Sequence, residues 1–184
     1  MSENTLSRSL HDLGLAAWFG GTLANATALN AAAAEADSPS GTGAVANVGW
    51  DRWTPVNAAA IAAHVVGSIG MLSSDAGRTA AQKGAGRTVL IKTGLTAAAL
   101  GVTAYSRVLG RRVSAQTSVP AESGTEPSAA TPADVAAAQR QLKLLQWAVP
   151  ALTGALVVVS ARAGEEQRAT SVLEGLSARI PGLH

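Results

Sequence analysis

Apolar positions along the chain are gathered into four long segments, and charged residues are concentrated between them. The first segment, 13–34, and the second, 53–74, each contain 22 residues without a charge. The third, 88–106, is interrupted only by Lys92, and the fourth, 144–161, contains no charge. Each approaches the ~20 residues with which a helix crosses a hydrocarbon core of ~30 Å. The pattern therefore predicts four membrane-spanning helices.

The composition of these segments also favours a membrane over water. They are apolar on nearly every side, whereas a surface helix of a soluble protein has a polar face. Ala and Gly replace the Leu of a typical span, so insertion of the first segment alone is expected to be marginal. Each glycine would cost about 1 kcal/mol in an aqueous helix, but small residues let membrane helices approach closely. We expect an all-α, four-helix transmembrane bundle in one domain, 1–184; a soluble Ala-rich bundle is the alternative.

The connecting segments differ from the spans in composition. Residues 35–52 are rich in Gly, Ser and Asp and end near Trp50 and Trp53, which are typical of a membrane interface. Residues 114–131 form a Pro, Ser, Thr and Ala tract without apolar periodicity, which predicts a disordered, dispensable linker. Residues 162–184 combine charges with apolar residues at helical spacing, which predicts an amphipathic surface helix.

Four spans would place both termini on one side of the membrane. Eight Lys and Arg residues would lie on that side and six on the opposite side. Because cytoplasmic loops carry an excess of Lys and Arg, this difference favours a multi-pass protein of the cell membrane with both termini in the cytoplasm.

Composition excludes several classes of function. The chain has 184 residues, no Cys, and a net charge of +2. Disulfides, thiolate metal sites and Cys nucleophiles are therefore absent, and the scattered basic residues do not predict nucleic-acid binding. The spans contain no catalytic Ser, His and Asp arrangement, no phosphate-binding glycine loop and no paired carboxylates. We expect neither an enzyme nor a protein with a cofactor or metal.

The most distinctive polar residue is His64, which lies near the middle of the second span. A polar side chain at that depth is expected to face the interior of the bundle and is a candidate functional residue. By depth, its neighbours on the other helices are Thr22, Asn25, Thr96, Thr103 and Thr153, of which Thr22, Asn25 and Thr153 complete the candidate intramembrane polar site with His64. Two interpretations remain open. The imidazole is neutral and hydrogen-bonded to a neighbouring helix, or it is the titrating group of a proton or small-solute carrier.

One stripe of the first helix alternates large rings with small residues. Its members are spaced by 3, 4, 3 and 4 residues: His11, Gly14, Trp18, Gly21 and Asn25. Residues at this spacing share a helix face. We predict that helices pack through the ring of Trp18 and the small residues of the first two spans, Gly14, Gly21, Gly67 and Gly70.

The remaining charged and titratable residues near the spans have structural interpretations. If the first span begins near residue 12, His11 and Asp12 cap its helix. His11 would then be ~15 Å in depth from His64, too far for the two to hold one iron. The long side chain of Lys92 is expected to reach back to the membrane surface.

Asp51 and Arg52 lie beside the tryptophans of the first connection. We interpret them as an ion pair at the membrane interface.

Three stretches carry a resemblance to known proteins: "HDLGLAAWFGGTLANATALN", "GWDRWTPVNAAAIAAHVVGSIGML" and "KTGLTAAALGVTAYSRVLGRRV". They resemble small, Ala-rich actinobacterial membrane proteins over residues 9–113 and 140–165. The resemblance implies a four-helix membrane fold and no particular activity.

The first helix is also remotely similar to the opening helix of copper-resistance D-type membrane proteins, through His11, Trp18, Gly20 and Gly21. Cu(I) favours thiolate and thioether ligands. This chain has no Cys and only Met1 and Met71, so copper binding is not expected. We expect a structural or accessory bundle that contacts the lipid bilayer and associates with itself or another membrane protein.

Overall fold

In a computed structural model that describes residues 3–81, 85–115 and 119–166, most of the chain is helical. The helices are α1 (Glu3–Ala24), α2 (Asn30–Ala34), α3 (Pro39–Ala81), α4 (Ala85–Ser114) and α5 (Ala133–Glu166). A π-helical turn, Asn25–Leu29, joins α1 to α2, and two short strands, β1 (Ala121–Ser123) and β2 (Glu126–Pro127), pair antiparallel before α5. The predicted all-α class is confirmed.

The four long helices form two antiparallel pairs. α1 packs along α3, and α4 packs along α5. Contacts between α1 and α5 join the pairs, whereas α3 and α4 touch at few points. Trp18 of α1 lies at the centre of the junction, in a buried cluster with Ala60, Ala99 and Val149. The core is therefore built around one large ring among small residues.

Three helices are long and apolar enough to cross a membrane among the residues searched, through 39–74, 86–114 and 133–165. α1 is not one of them, so the first predicted span, 13–34, rests on sequence alone. Large apolar side chains are exposed on the outer surfaces of the bundle, and Leu13 and Leu90 are 71% and 73% exposed. An apolar outer surface of this kind is expected for helices that contact lipid.

The predicted connection 35–52 is wrong for most of its length, because α3 begins at Pro39. Gly43 and Gly49 lie within α3 and allow other segments of the chain to approach this helix closely. A Cβ atom at Gly43 would overlap the carbonyl of Val119, and one at Gly49 would overlap the side chain of Leu29. The turn between the first two long helices is therefore short, and α1 extends back to Glu3.

The predicted disorder of 114–131 is also wrong, apart from 116–118, which lie outside the described residues. Val119 is fully buried and Ala121 is 1% exposed. Val119 joins a cluster of buried apolar side chains from α4 and α5, formed by Leu109, Val113, Val135 and Ala138. The segment packs on the bundle through a few single residues and not through a regularly repeated apolar face. Its apolar residues therefore show no periodicity in the sequence.

The predicted amphipathic helix 162–184 begins inside α5, which continues to Glu166. Residues 167–184 lie outside the described part of the chain.

Candidate functional site

The site is created by an unusually close approach of α1 to α3. Gly14 faces the backbone of Ala60 and His64, and Gly67 faces the backbone of His11. A Cβ atom at either glycine would overlap these backbone atoms. Small residues at helix crossings allow such approach, and here they bring two histidines from separate helices into one buried cluster.

The imidazole rings of His11 and His64 pack against each other inside the bundle. Their centroids are 4.6 Å apart and their planes are tilted by 46°. The two residues are only 1% and 0% exposed. The ring of Trp18 closes the cluster, with its centroid 6.0 Å from that of His64.

Both nitrogens of His64 have a partner. Nδ1 lies 3.4 Å from the carbonyl oxygen of His11, and Nε2 lies 3.5 Å from the hydroxyl of Thr96 on α4. Because a carbonyl oxygen can only accept, Nδ1 is the donor, and Nε2 of a neutral ring accepts from the hydroxyl of Thr96. His64 thus links α1, α3 and α4.

His11 connects this cluster to the outside of the bundle. Its Nδ1 lies 2.7 Å from a carboxylate oxygen of Asp12, whose side chain is 62% exposed. A carboxylate accepts, so Nδ1 donates. The other nitrogen, Nε2, is buried without a hydrogen-bond partner. Asp12 and His11 are joined by this hydrogen bond, the rings of His11 and His64 are in contact, and His64 is hydrogen-bonded to Thr96. These contacting residues form a polar path from the surface to the interior, although no hydrogen bond joins the two rings.

Two predictions about His11 are wrong. Because α1 begins at Glu3, His11 and Asp12 lie inside the helix and do not cap it. The depth of ~15 Å that was expected between His11 and His64 is replaced by direct contact. The short turn between α2 and α3 determines which residues of α1 lie beside which residues of α3. The predicted connection was too long, so it placed His11 and His64 at different depths.

The other candidate polar residues do not have His64 as a partner. Thr22 donates to the carbonyl of Trp18 at 2.7 Å, and Thr153 donates to that of Val149 at 2.8 Å. Hydroxyls that bond the preceding turn of their own helix are already satisfied. Asn25 lies at the start of the π-helical turn, and its Nδ2 has no partner. Among the predicted neighbours, only Thr96 is hydrogen-bonded to His64.

The four glycines predicted to pack helices all lie at the contact between α1 and α3. Besides Gly14 and Gly67, Gly21 lies against the ring of Trp53, and Gly70 lies against Ser7. Trp18 is fully buried. Gly20, in contrast, has no atom within 4 Å of the position of a Cβ. A larger side chain would fit at Gly20 but not at the four packing glycines, so those four positions require a small residue.

A second polar cluster, not predicted from the sequence, joins α2, α3 and α5. Asn30 accepts a hydrogen bond from Nε1 of Trp50 at 3.0 Å and donates one to the amide oxygen of Gln146 at 2.6 Å. Asn30 is 5% exposed. In the sequence, Asn30 is recognisable only as a polar residue within the uncharged segment 13–34. That position does not indicate which side chains it contacts.

The interface ion pair also differs from the prediction. Asp51 pairs with Arg107 of α4 at 3.1 Å rather than with its neighbour Arg52. Consecutive residues of a helix point in different directions, so they do not face each other. Lys92 is half-buried on α4, one turn before Thr96.

These features define an α-helical protein with three helices apolar enough to cross a membrane and a buried imidazole pair. Within the described ranges, no three His, Cys, Asp or Glu side chains are grouped to hold a metal ion. No family model matches the chain, and neither a curated protein nor a solved structure matches it.

Proposed function

We propose that the chain is a multi-pass membrane protein with a structural or accessory role. The observation that carries this proposal is the close contact of α1 and α3 around His11 and His64. Both rings are buried, and the glycines beside them leave no space for a Cβ atom. A carrier needs its titrating group to meet water or solute, whereas a structural element needs dense packing.

In the proposed topology α1 crosses the membrane in addition to α3, α4 and α5, and both termini are cytoplasmic. Because the chain contains no Cys, single cysteines test this directly with a membrane-impermeant maleimide on intact cells. Asp37→Cys, in the turn before α3, is expected to label. Leu6→Cys in α1 and Ser74→Cys in α3 are expected to label only after permeabilisation.

Each other labelling pattern contradicts a part of the topology. Labelling of Ser74→Cys but not of Asp37→Cys on intact cells would show the opposite orientation, with both termini outside the cell. Labelling of Leu6→Cys and Asp37→Cys together would show that α1 does not cross. Recovery of the unmodified protein in the soluble fraction after carbonate extraction would exclude the membrane assignment.

The accessory role requires association with a second copy or with another membrane protein. Of the three candidate spans in the described part of the chain, the one in α4 is the least covered, with 6% of its most apolar stretch buried inside the bundle. Leu90→Cys on α4 and Leu13→Cys on α1 form a matched pair, since these leucines are 73% and 71% exposed. Oxidation in membranes is expected to cross-link the α4 variant into a dimer or a larger adduct. Absence of any adduct from both variants would contradict association.

A carrier that uses His64 is the second candidate, and the polar path from Asp12 through His11 to Thr96 favours it. Purified protein in vesicles that contain a pH-sensitive dye tests the two functions. The accessory role predicts no proton flux above that of protein-free vesicles. Flux that His64→Leu abolishes, in a variant that still folds, would replace the accessory role by proton transport.

A further inference from the structure

A cavity of about 320 Å³ lies where α3 and α4 diverge. Its walls come mainly from α3, α4 and α5, and Thr22 of α1 and Gly124 and Thr125 between the two strands also line it. Neither His11 nor His64 is part of its lining. The volume lies at the lower end of the roughly 300–1,000 Å³ of small-molecule sites in proteins. The cavity is therefore separate from the histidine cluster and large enough for a ligand.

Buried polar atoms without a hydrogen-bond partner are concentrated around this cavity. Five residues of its lining carry one such atom each: Trp53 (Nε1), Asn57 (Oδ1), Thr103 (Oγ1), Ser106 (Oγ) and Arg107 (Nε). Leaving a buried polar group unsatisfied is costly, so such groups call for an explanation at each position. They are grouped on the facing helices α3 and α4, but each has almost no accessible surface, so small side-chain rotations are needed before a ligand contacts them.

The chemistry of these atoms defines the polar part of a ligand. The nitrogens of Trp53 and Arg107 donate, and the hydroxyls of Thr103 and Ser106 can donate, whereas Oδ1 of Asn57 only accepts. The guanidinium of Arg107 is already paired with Asp51, so the site has no excess charge. A matching head group is uncharged, has several acceptor oxygens and carries at least one hydroxyl.

The rest of the lining is apolar. Its large aliphatic members are Ile61, Leu100, Leu142, Leu145 and Val149. The α3 and α4 parts of the cavity lie within the segments 39–74 and 86–114, which are apolar enough to be in a membrane. The site therefore combines a polar end with an apolar wall, and an amphiphile from the bilayer fits both.

We propose that this cavity binds a neutral single-chain lipid whose head carries ester and hydroxyl oxygens, the chemistry of a monoacylglycerol. The ester and hydroxyl oxygens accept from the four donors, and one head hydroxyl donates to Asn57. The acyl chain lies against the aliphatic wall from α4 and α5. This site goes beyond the accessory role and does not depend on His64.

Two glycines of α4 provide a matched test. Gly110 lines the cavity and Gly101 does not, and neither has an atom within 4 Å of the position of a Cβ. Native mass spectrometry of the full chain in detergent, with added 1-monooleoylglycerol, measures binding. The unmodified protein and Gly101→Leu are expected to retain one lipid, and Gly110→Leu is expected to lose it because its side chain enters the cavity. Equal retention by both variants would overturn the site.

A second variant tests the polar end without filling the cavity. Thr103→Val with Ser106→Ala removes two donors, and their loss is expected to weaken binding by about tenfold. The midpoint of thermal unfolding without lipid is expected to stay the same or rise, since two unsatisfied hydroxyls are removed. Unchanged binding would contradict the proposed contacts.

The charge of the head is tested with 1-oleoyl-lysophosphatidic acid, which has the same chain and an anionic phosphate. Preference for the monoacylglycerol supports a neutral site. Preference for the phosphate, or equal binding of the two, would overturn the assignment of ligand class.

Discussion

The imidazole of His64 packs against that of His11, with ring centroids 4.6 Å apart, although the two residues are 53 positions apart in the chain. His64→Leu removes the hydrogen bonds to the carbonyl of His11 and to Thr96. We expect it to lower the free energy of unfolding by about 1–3 kcal/mol, because a buried polar partner is left unsatisfied. Chemical denaturation of the purified protein in detergent measures the change.

The contact itself is tested by a double-mutant cycle with His11→Leu. The two changes are expected to differ from additivity by roughly 0.5–3 kcal/mol, because the side chains touch. His64→Leu combined with Val119→Ala, in a separate buried cluster, is the control and should be additive. Additive behaviour of both pairs would show that the ring contact contributes nothing to stability.

Gly14 and Gly20 of α1 distinguish close packing from simple tolerance of small residues. A Cβ at Gly14 would overlap the backbone of Ala60 and His64, whereas one at Gly20 meets nothing within 4 Å. Gly14→Ala is expected to destabilise the protein by about 1–3 kcal/mol, the usual cost of overpacking. Gly20→Ala is expected to be neutral or stabilising by up to about 1 kcal/mol, since Ala favours helix. Thermal unfolding in detergent compares them, and equal midpoints would contradict the packing role of Gly14.

The helical class and the apolar segments could be predicted because they depend on local composition. The pairing of α1 with α3 could not, since it depends on where the turn lies. The glycines at 41, 43 and 49 indicated a loop, but Gly43 and Gly49 lie in α3 and accommodate residues from distant segments. The predicted connection 35–52 ends too late, since α3 begins at Pro39, and this displaced the second predicted span relative to the first.

The displaced position of these two spans also explains which features of the histidine cluster could be predicted and which could not. The burial of His64 followed from its depth in an apolar segment. Its contact with His11 depends on the pairing of the two helices, which no local pattern specifies. Thr22 and Thr153 have the expected depth, but their hydroxyls bond carbonyls of their own helices. Depth alone does not distinguish these hydroxyls from Thr96, which is hydrogen-bonded to His64.

The segment before α5 is expected to contribute to stability. Val119 is fully buried against α4 and α5 residues, and its carbonyl lies at Gly43. Val119→Ala is expected to lower the free energy of unfolding by about 1–3 kcal/mol through lost apolar contacts and a residual cavity. Glu122→Ala changes an exposed side chain of the same segment and should stay within about 0.5 kcal/mol. Equal effects would indicate that the segment is the dispensable linker that its composition suggests.

Replacing Asn30 is expected to destabilise the protein more than replacing any other amide residue in the described part of the chain, because Asn30 joins α2 to α3 and α5. Asn30→Ala removes its bonds to Trp50 and Gln146 and leaves both partners unsatisfied. A loss of about 1–3 kcal/mol is expected, because Nε1 of Trp50 and Oε1 of Gln146 lose their partner at partly buried positions. Asn25→Ala is the control, because Nδ2 of Asn25 has no partner to strand, and it should cost less than about 1 kcal/mol. Chemical denaturation monitored by tryptophan fluorescence measures both variants, and a smaller loss for Asn30→Ala than for Asn25→Ala would show that this cluster does not hold the helices together.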